Sequence, residues 1–487
     1  MTSRWRVLAV VLAVLAPALT ACGGSTSPAP PSPSDSADHG AAPPDLSLGE
    51  SEPVADPFYP EFGNPDIDVL HYGLDLSYEP RTRTLRGSAT LTIRPVVDGS
   101  ELALDFAQPM DVSTVTVDGV VAPHDHQQYD LMIETAVESG AEVTVTIEYS
   151  GVPQRVPAPS ERGDMSMGIG ATTDPDTGAL WSFQEPYGAL TWYPVNDHPS
   201  DEALYDITLT VPDGYSGVAS GSFVGQDGNT FLWTSKDPVA SYLTTIAVDQ
   251  YELTELTGPN DLPITLWTLP GYADFMPVLE QMPEMIEWLE QRYGPYPFDS
   301  AGVVLVGGES AMETQEIITF SGDFINTPGL GPDYVAGVLV HELAHQWFGN
   351  AVTLQDWSHL WLNEGAATYI EQMWNIDRGF AEEEDVVNGW TLDDGFLRAD
   401  YGPPGAADPE AFAASNSYVC PALMLYHLRE RLGGAEAVDE MLAAWVEAFN
   451  NQSATRDDFV EFVNQHTGED LTSFIDEWLD SPHTPQR

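Results

Sequence analysis

The sequence predicts an α+β chain in two folded parts, a mainly antiparallel β part followed by a mainly helical part. Three observations predict it. Up to about residue 250, segments such as Tyr72–Tyr78, Ala89–Ile93, Val143–Tyr149 and Tyr205–Val211 alternate apolar and polar residues, the period of a half-buried strand. In the same stretch Asp118-Gly119 and Asp227-Gly228 supply turn chemistry suited to hairpins, and no long run has helical spacing. Beyond 250 the period changes. Met276–Tyr293, Tyr334–Phe348 and Glu436–Phe449 carry apolar residues at helical spacing, with Gly294 and Gly349 where helix stops are expected. Thr455 reads as an N-cap, with Asp458 in the first turn of a helix running to Thr467. No internal repeat of fixed period is present.

The chain is 487 residues long, with 43% apolar and 19% charged residues, the composition of a mostly folded body. Its first 22 residues do not belong to that body. Arg4 and Arg6 precede an apolar run, Val7–Leu19, too short to span a bilayer but suited to a secretory signal. The run ends in Leu19-Thr20-Ala21-Cys22, which resembles the lipobox of bacterial lipoproteins. That resemblance implies export, with Cys22 as a lipid-bearing amino terminus that tethers the protein to the membrane on its extracellular side. Residues 23–56 are rich in Ser, Pro, Ala and Asp and read as a flexible tether. The expected parts are therefore a signal peptide (1–22), a tether (23–56), a β domain (57–250) and a helical domain (251–487). Cys420 is the one other cysteine, so with Cys22 lipidated no internal disulfide is expected, and Cys420 reads as a small core residue.

Sixteen basic residues stand against 76 acidic ones, a net charge of −60, and Lys236 is the only lysine. Such a field repels nucleic acid and anionic lipid and argues against either as a partner. It fits saline surroundings, where screening relieves self-repulsion, and a melting temperature that rises with salt is expected.

The chemistry lies in Val338-Leu339-Val340-His341-Glu342-Leu343-Ala344-His345-Gln346-Trp347, an H-E-x-x-H motif. Four residues are just over one helical turn, so both imidazoles project from one face and can share an ion. Glu342, one step along, is angled toward a water beside the metal rather than toward the metal. A catalytic zinc commonly takes three protein ligands. Glu364 opens a second helix near Leu360, and the interval from His345 lets that helix return antiparallel. A carboxylate among Trp357, Leu360, Trp361, Leu362, Ala366, Ala367 and Tyr369 needs a compensating partner if buried, and a metal supplies one. His359 is the alternative third ligand, and Glu364 as an exposed acid at a helix start is the bland one. His124 and His126, in a polar stretch of the β part, read as solvated.

His341-Glu342-Leu343-Ala344-His345-Gln346-Trp347-Phe348-Gly349-Asn350, followed by Trp361-Leu362-Asn363-Glu364-Gly365, resembles the aminopeptidase N family of zinc metallopeptidases. Asp68-Val69-Leu70-His71-Tyr72 with Leu74-Asp75-Leu76 is similar to that family's opening strand. Gly294-Pro295-Tyr296-Pro297-Phe298 resembles the turn before its catalytic core, and Leu471–Leu479 its closing helix. The resemblance runs from about residue 60 to 482. It implies an N-terminal β-saddle followed by a thermolysin-like catalytic domain, in a short form without the further helical domains of larger members. It also implies one zinc per chain and peptide substrates with a free amino terminus.

By the same resemblance, Glu313 in Ser310-Ala311-Met312-Glu313-Thr314 holds the substrate's α-ammonium, and Met312 lines the pocket for the first side chain. Thr314 stands where the family has asparagine. Gln184, ahead of Trp192-Tyr193-Pro194-Val195-Asn196-Asp197-His198-Pro199, is the expected second anchor, with Glu185 as the alternative. Tyr418 in Ser417-Tyr418-Val419-Cys420-Pro421-Ala422 corresponds to the family's oxyanion-stabilising tyrosine, with Pro421 in place of a glycine and Tyr426 as the substitute. Glu342 then acts as general base and acid. Two rivals remain at this level: an endopeptidase of the thermolysin type, and a surface zinc-binding lipoprotein whose catalytic parts have decayed.

Overall fold

The computed structural model describes residues 44–485 apart from 161, 309 and 323–329; the signal segment, Cys22 and the tether up to residue 43 lie outside the described residues. Pro44–Arg487 form one compact unit. Residues 44–56, read from sequence as tether, pack on the β part. Asp45 caps a 3₁₀ turn over Leu46–Gly49, Ser51 N donates to Asp68, and Arg94 donates to Ser51 O.

The first half is β-rich, as its alternation predicts. An eight-stranded sheet runs in the order Ser222–Asp227, Thr230–Ala240, Glu202–Thr210, Ile67–Glu79, Thr84–Pro95, Val143–Gly151, Asp111–Val117 and Val120–Val121. Every pairing in it is antiparallel except Ile67–Glu79 on Glu202–Thr210. A three-stranded and a four-stranded sheet complete the part. Asp118 (φ 50) and Gly119 (φ 75) both take positive φ, the requirement of the tight hairpin turn they were expected to form. The side chains facing inward along Ile67–Glu79 and Thr84–Pro95, Tyr72, Leu74, Leu76, Leu85, Ala89 and Leu91 among them, are buried in one apolar core.

The second half is mainly helical. Its longer helices are α1 (Met282–Tyr293), α2 (Pro332–His345), α3 (Trp361–Asp377), α4 (Glu383–Tyr401), α5 (Asn416–Leu432), α6 (Ala435–Phe449), α7 (Arg456–Thr467) and α8 (Thr472–Asp480). The helix expected over Met276–Tyr293 is broken. A turn at Met276–Leu279 ends first, and α1 restarts with Pro283 in its opening turn, where proline's missing N–H costs nothing. Thr455 caps α7 as expected, in a reciprocal box with Asp458.

A five-stranded sheet in this half was not expected. Its order is Glu252–Thr257, Pro263–Thr268, Ala301–Val306, Ile317–Ser321 and Ala311–Met312, with the three central strands parallel. Ala301–Val306 is buried at every position, so it shows no alternation. A second apolar core, made only of residues from Ile264 onward, packs this sheet under α1, α2, α3 and α6. Met312, Trp357 and Phe412 of the helical half join the first core instead, so the two halves share packing. Cys420 is buried, as expected. Among the described residues no helix is long and apolar enough to cross a membrane.

Candidate active site

Helix α2 begins at Pro332 with Asp333 in its first turn and buries Val335, Leu339, Val340, Leu343 and Ala344. That packing fixes the opposite placement of His341 and His345, one turn apart. The chain then reverses through Gly349 (φ 138), where a Cβ would sit 3.2 Å from His345 Nδ1. The reversal brings Phe348 O to 3.0 Å from His345 Nδ1, which fixes the ring as the Nδ1–H tautomer and leaves Nε2 free. His341 Nδ1 lies 3.4 Å from Glu371 Oε2. Helix α3 carries Glu364 into the same place.

The three expected ligands converge. His341 Nε2 is 3.1 Å from His345 Nε2, and Glu364 Oε2 is 3.3 Å from the first and 3.5 Å from the second. A tetrahedral zinc with ligands at about 2.0–2.1 Å has ligand–ligand edges of about 3.3–3.4 Å. The triangle therefore fits zinc in size as well as in donor set. Two imidazole nitrogens this close, beside a carboxylate, are mutually stabilised by a cation between them.

The charges respond accordingly. Burial pushes the Glu364 carboxyl up, but His345 and His341 together outweigh it and hold the group well below the usual carboxylate range. Burial pushes both imidazoles down, and the surrounding glutamates, Glu364 above all for His341 and Glu313 with Glu364 for His345, pull them back above their ordinary value. Glu342 is pushed up to about 8, by burial first, with Glu313 and Glu364 raising it and His341 and His345 lowering it.

Glu313 and Met312 lie on the sheet edge facing this triad, Met312 in the short strand Ala311–Met312. Gln346 Nε2 and Asn350 Nδ2, just past the second histidine, donate to Glu313 O and pin its backbone to the motif. Glu313 Oε1 is buried without a hydrogen-bond partner among the described residues. Thr314 faces inward, bonded to Ile317 O and Thr319 Oγ1.

Gln184 lines the cavity at the triad. Nε2 donates to Ser241 O and Thr244 Oγ1, and Oε1 accepts from Trp192 Nε1, so both ends are engaged within the β part. The neighbouring side chain, Glu185, lines the cavity too. Carboxylate oxygens of Glu185, Glu313 and Glu364 lie within 4.8 Å of one another, and Glu185 Oε1 also lacks a partner.

Tyr418, in the first turn of α5, lies with its ring 6.2 Å from that of His341 and nearly parallel to it. Helices α3 and α5 approach so closely that a Cβ on Gly365 would sit 2.5 Å from Pro421 Cβ. The glycine beside Glu364 thus sets where Tyr418 stands. Arg162 was not found from sequence. It reaches in from the β half, donating from Nη1 to Tyr418 Oη at 2.8 Å and to Ala413 O at 3.0 Å, while Asp164 grips its Nε and Nη2. Ser310 Oγ donates to Asp164 in turn. Nothing in the local pattern around Arg162 marks it.

The alternatives His359 and Tyr426 make contacts elsewhere. His359 pairs with Asp356, and Tyr426 Oη donates to Glu383. His126 is not simply solvated, since its ring stacks on Phe106 and Nε2 contacts Phe106 O. The cavity at the triad measures about 340 Å³, near the lower end of the range for ligand pockets, and Met312, Glu185, Glu313, Glu342 and Tyr418 all line it.

Comparison with known proteins agrees with this geometry. The Peptidase family M1 domain matches residues 278–395. Aminopeptidase M1-A of rice (Oryza sativa subsp. japonica) is 28% identical over 60% of this chain and 36% of its own length. Aminopeptidase B of rat (Rattus norvegicus) is 25% identical over 86% of this chain and 70% of its own. The chain thus spans about a third of the rice relative and just over two thirds of the rat one. A crystal structure of an M1 zinc metallopeptidase from Deinococcus radiodurans superposes with a TM-score of 0.77 at 26% identity, over 89% of this chain and 99% of that one. Yeast LTA4 hydrolase, at 22% identity and a TM-score of 0.69, shares the fold. Fold and site together define a zinc metallopeptidase built from a sheet-rich N-terminal part and a helical catalytic part. Within that class the chain is similar to peptidase family M1, whose domain matches residues 278–395.

Proposed function

We propose that this protein is a zinc-dependent aminopeptidase, hydrolysing the first peptide bond of substrates with a free amino terminus. The observation that carries the reading is the pair of carboxylate oxygens, on Glu185 and Glu313, that have no partner among the described residues and lie beside the His341–His345–Glu364 triad. A buried acceptor without a donor is costly, and an α-ammonium brings three N–H donors to satisfy it. Of Gln184 and its alternative Glu185, both lining the cavity, Glu185 is the one that offers a carboxylate, and we take it as the second anchor.

His341, His345 and Glu364 would hold one zinc per chain. When bound, zinc supplies a Lewis acid that polarises the scissile carbonyl and makes a water acidic. Glu342 accepts a proton from the attacking water and passes it to the leaving amine. Tyr418 donates its hydroxyl to the developing oxyanion. Because Arg162 already donates to Tyr418 Oη, the phenolic proton is directed away from Arg162 and toward the cavity. Met312 bounds the space for the first side chain. Glu185 and Glu313 accept from the ammonium, fixing the reacting bond one residue from the chain end.

A thermolysin-type endopeptidase has no use for two carboxylates at this place. Cleavage of matched free and N-acetylated peptides tests the choice: the free peptide should be hydrolysed at least about a hundredfold faster in kcat/KM, as a lost charged hydrogen bond pair implies. Equal rates would refute the aminopeptidase reading. Glu342→Gln should retain zinc and lose nearly all turnover, which also separates an active enzyme from a decayed one.

The lipobox-like Leu19-Thr20-Ala21-Cys22 supports export and membrane attachment through lipid on Cys22. Incorporation of labelled fatty acid, abolished by Cys22→Ala, tests it; a wild-type chain that stays unlabelled would overturn it.

A further inference from the structure

A second arginine, Arg155, lines the same cavity, and among the described residues no acid pairs with it. It stands one residue before Val156, whose backbone exchanges two 2.9 Å hydrogen bonds with Ile169 and so closes the loop that carries Arg162 and Asp164. A Cβ on Gly168 would meet Arg155 Cβ at 3.2 Å, which places the stem of the arginine against that loop. Arg155 Nε is sealed from solvent without a hydrogen-bond partner among the described residues. Burial pushes the guanidinium's pKa down, and no acid among the described residues offsets it.

The other arginines drawn into the protein behave differently. Arg162 is gripped by Asp164, Arg94 pairs with Asp68, and Arg398 pairs with Asp394. With 76 acidic residues against 16 basic ones, a carboxylate partner is the easiest thing for this sequence to supply. At Arg155 none is supplied among the described residues. Among the described acids that line the cavity, Asp164 grips Arg162 and Glu364 meets the histidines, and none of Glu185, Glu313, Glu342 and Glu371 forms an ion pair with Arg155. A guanidinium keeps its charge even when partly buried, and its planar donors match a carboxylate in two-point contact.

We propose that Arg155 is a subsite for a carboxylate of the substrate, so that carboxylate-bearing peptides are favoured at this site against the overall negative field. The inference rests on the aminopeptidase reading above. The carboxylate has two sources, an acidic side chain or the carboxyl terminus of a short peptide, and two substrate pairs separate them. The first pair is glutamyl- and glutaminyl-anilide; the second is trialanine and trialanine amide. The zinc-loaded wild type and Arg155→Gln are assayed on all four.

The wild type should favour the carboxylate member of at least one pair by about tenfold or more in kcat/KM. Arg155→Gln should bring that ratio to within about threefold of one, and Arg155→Lys, a charge without the planar fork, should fall between. The pair that responds identifies the source. Ratios near one in both pairs for the wild type overturn the subsite, whether or not the variants fold, and so does a preference that Arg155→Gln leaves intact. If no member of either pair is hydrolysed, the aminopeptidase reading fails and takes the subsite with it. Equal hydrolysis of both members sinks the subsite alone.

Discussion

Arg162 Nη1 donates to the phenolic oxygen of Tyr418 across 2.8 Å, joining a loop of the β half to the first turn of α5 in the helical half. The bond assigns the hydroxyl proton by elimination and makes the tyrosine's usefulness depend on a residue far away in sequence. Tyr418→Phe should lower kcat by about 10²–10³-fold, the cost of one oxyanion donor, with little change in KM. Arg162→Gln should cost less. In the Tyr418→Phe background it should add no more than about twofold, because the group it positions is gone. Steady-state kinetics on the four proteins checks this. Losses that multiply independently would show that Arg162 acts through something other than Tyr418.

Gly365 sits at the point where α3 meets α5, with Pro421 where a side chain would go. Gly365→Ala improves helix propensity by up to about 1 kcal/mol, but the clash is with a rigid ring, and overpacking of this kind costs about 1–3 kcal/mol. Net destabilisation in denaturant unfolding is expected, with kcat reduced because Glu364 and Tyr418 move apart. Pro421→Ala should restore stability to the double variant. A Gly365→Ala protein as stable and active as wild type would show that the helices adjust freely.

Several buried carboxylates make stability depend on pH. Burial pushes Asp105 and Asp197 up to about 7, and Glu202 and Glu316 up to about 8. Unfolded, the same groups titrate near about 4. Between those limits the folded chain holds more protons than the unfolded one, so stability falls as pH rises. The self-repulsion of a chain of charge −60 acts in the same direction. With zinc in excess, Tm should be higher at about pH 6.5 than at about pH 8, and Asp105→Asn should flatten the difference. A Tm that climbs over that interval would mean these carboxylates are ionised and compensated in the folded protein.

What was legible in the sequence follows from locality. His341 and His345 share a helical turn, so their convergence could be read from spacing; Glu364 needed only one helix reversal more. Alternation revealed strands such as Thr84–Pro95, which bury one face. It missed Ala301–Val306 and Ile317–Ser321 because both faces are covered and nothing alternates. Glu185 and Gln184 differ by one position and both line the cavity, and only the structure shows that Gln184 spends its amide on Ser241, Thr244 and Trp192. Arg162 and Arg155 were invisible for a related reason: the loop that holds them meets the helical half only after folding, and no local pattern records that meeting.

The most direct measurement is anomalous scattering at the zinc edge from a crystal of the purified protein. One peak per chain is expected, at about 2.0–2.2 Å from His341 Nε2, His345 Nε2 and a Glu364 oxygen. A chain with no peak there, or with Glu364 turned away from the two histidines, would contradict the zinc site and every catalytic role assigned around it.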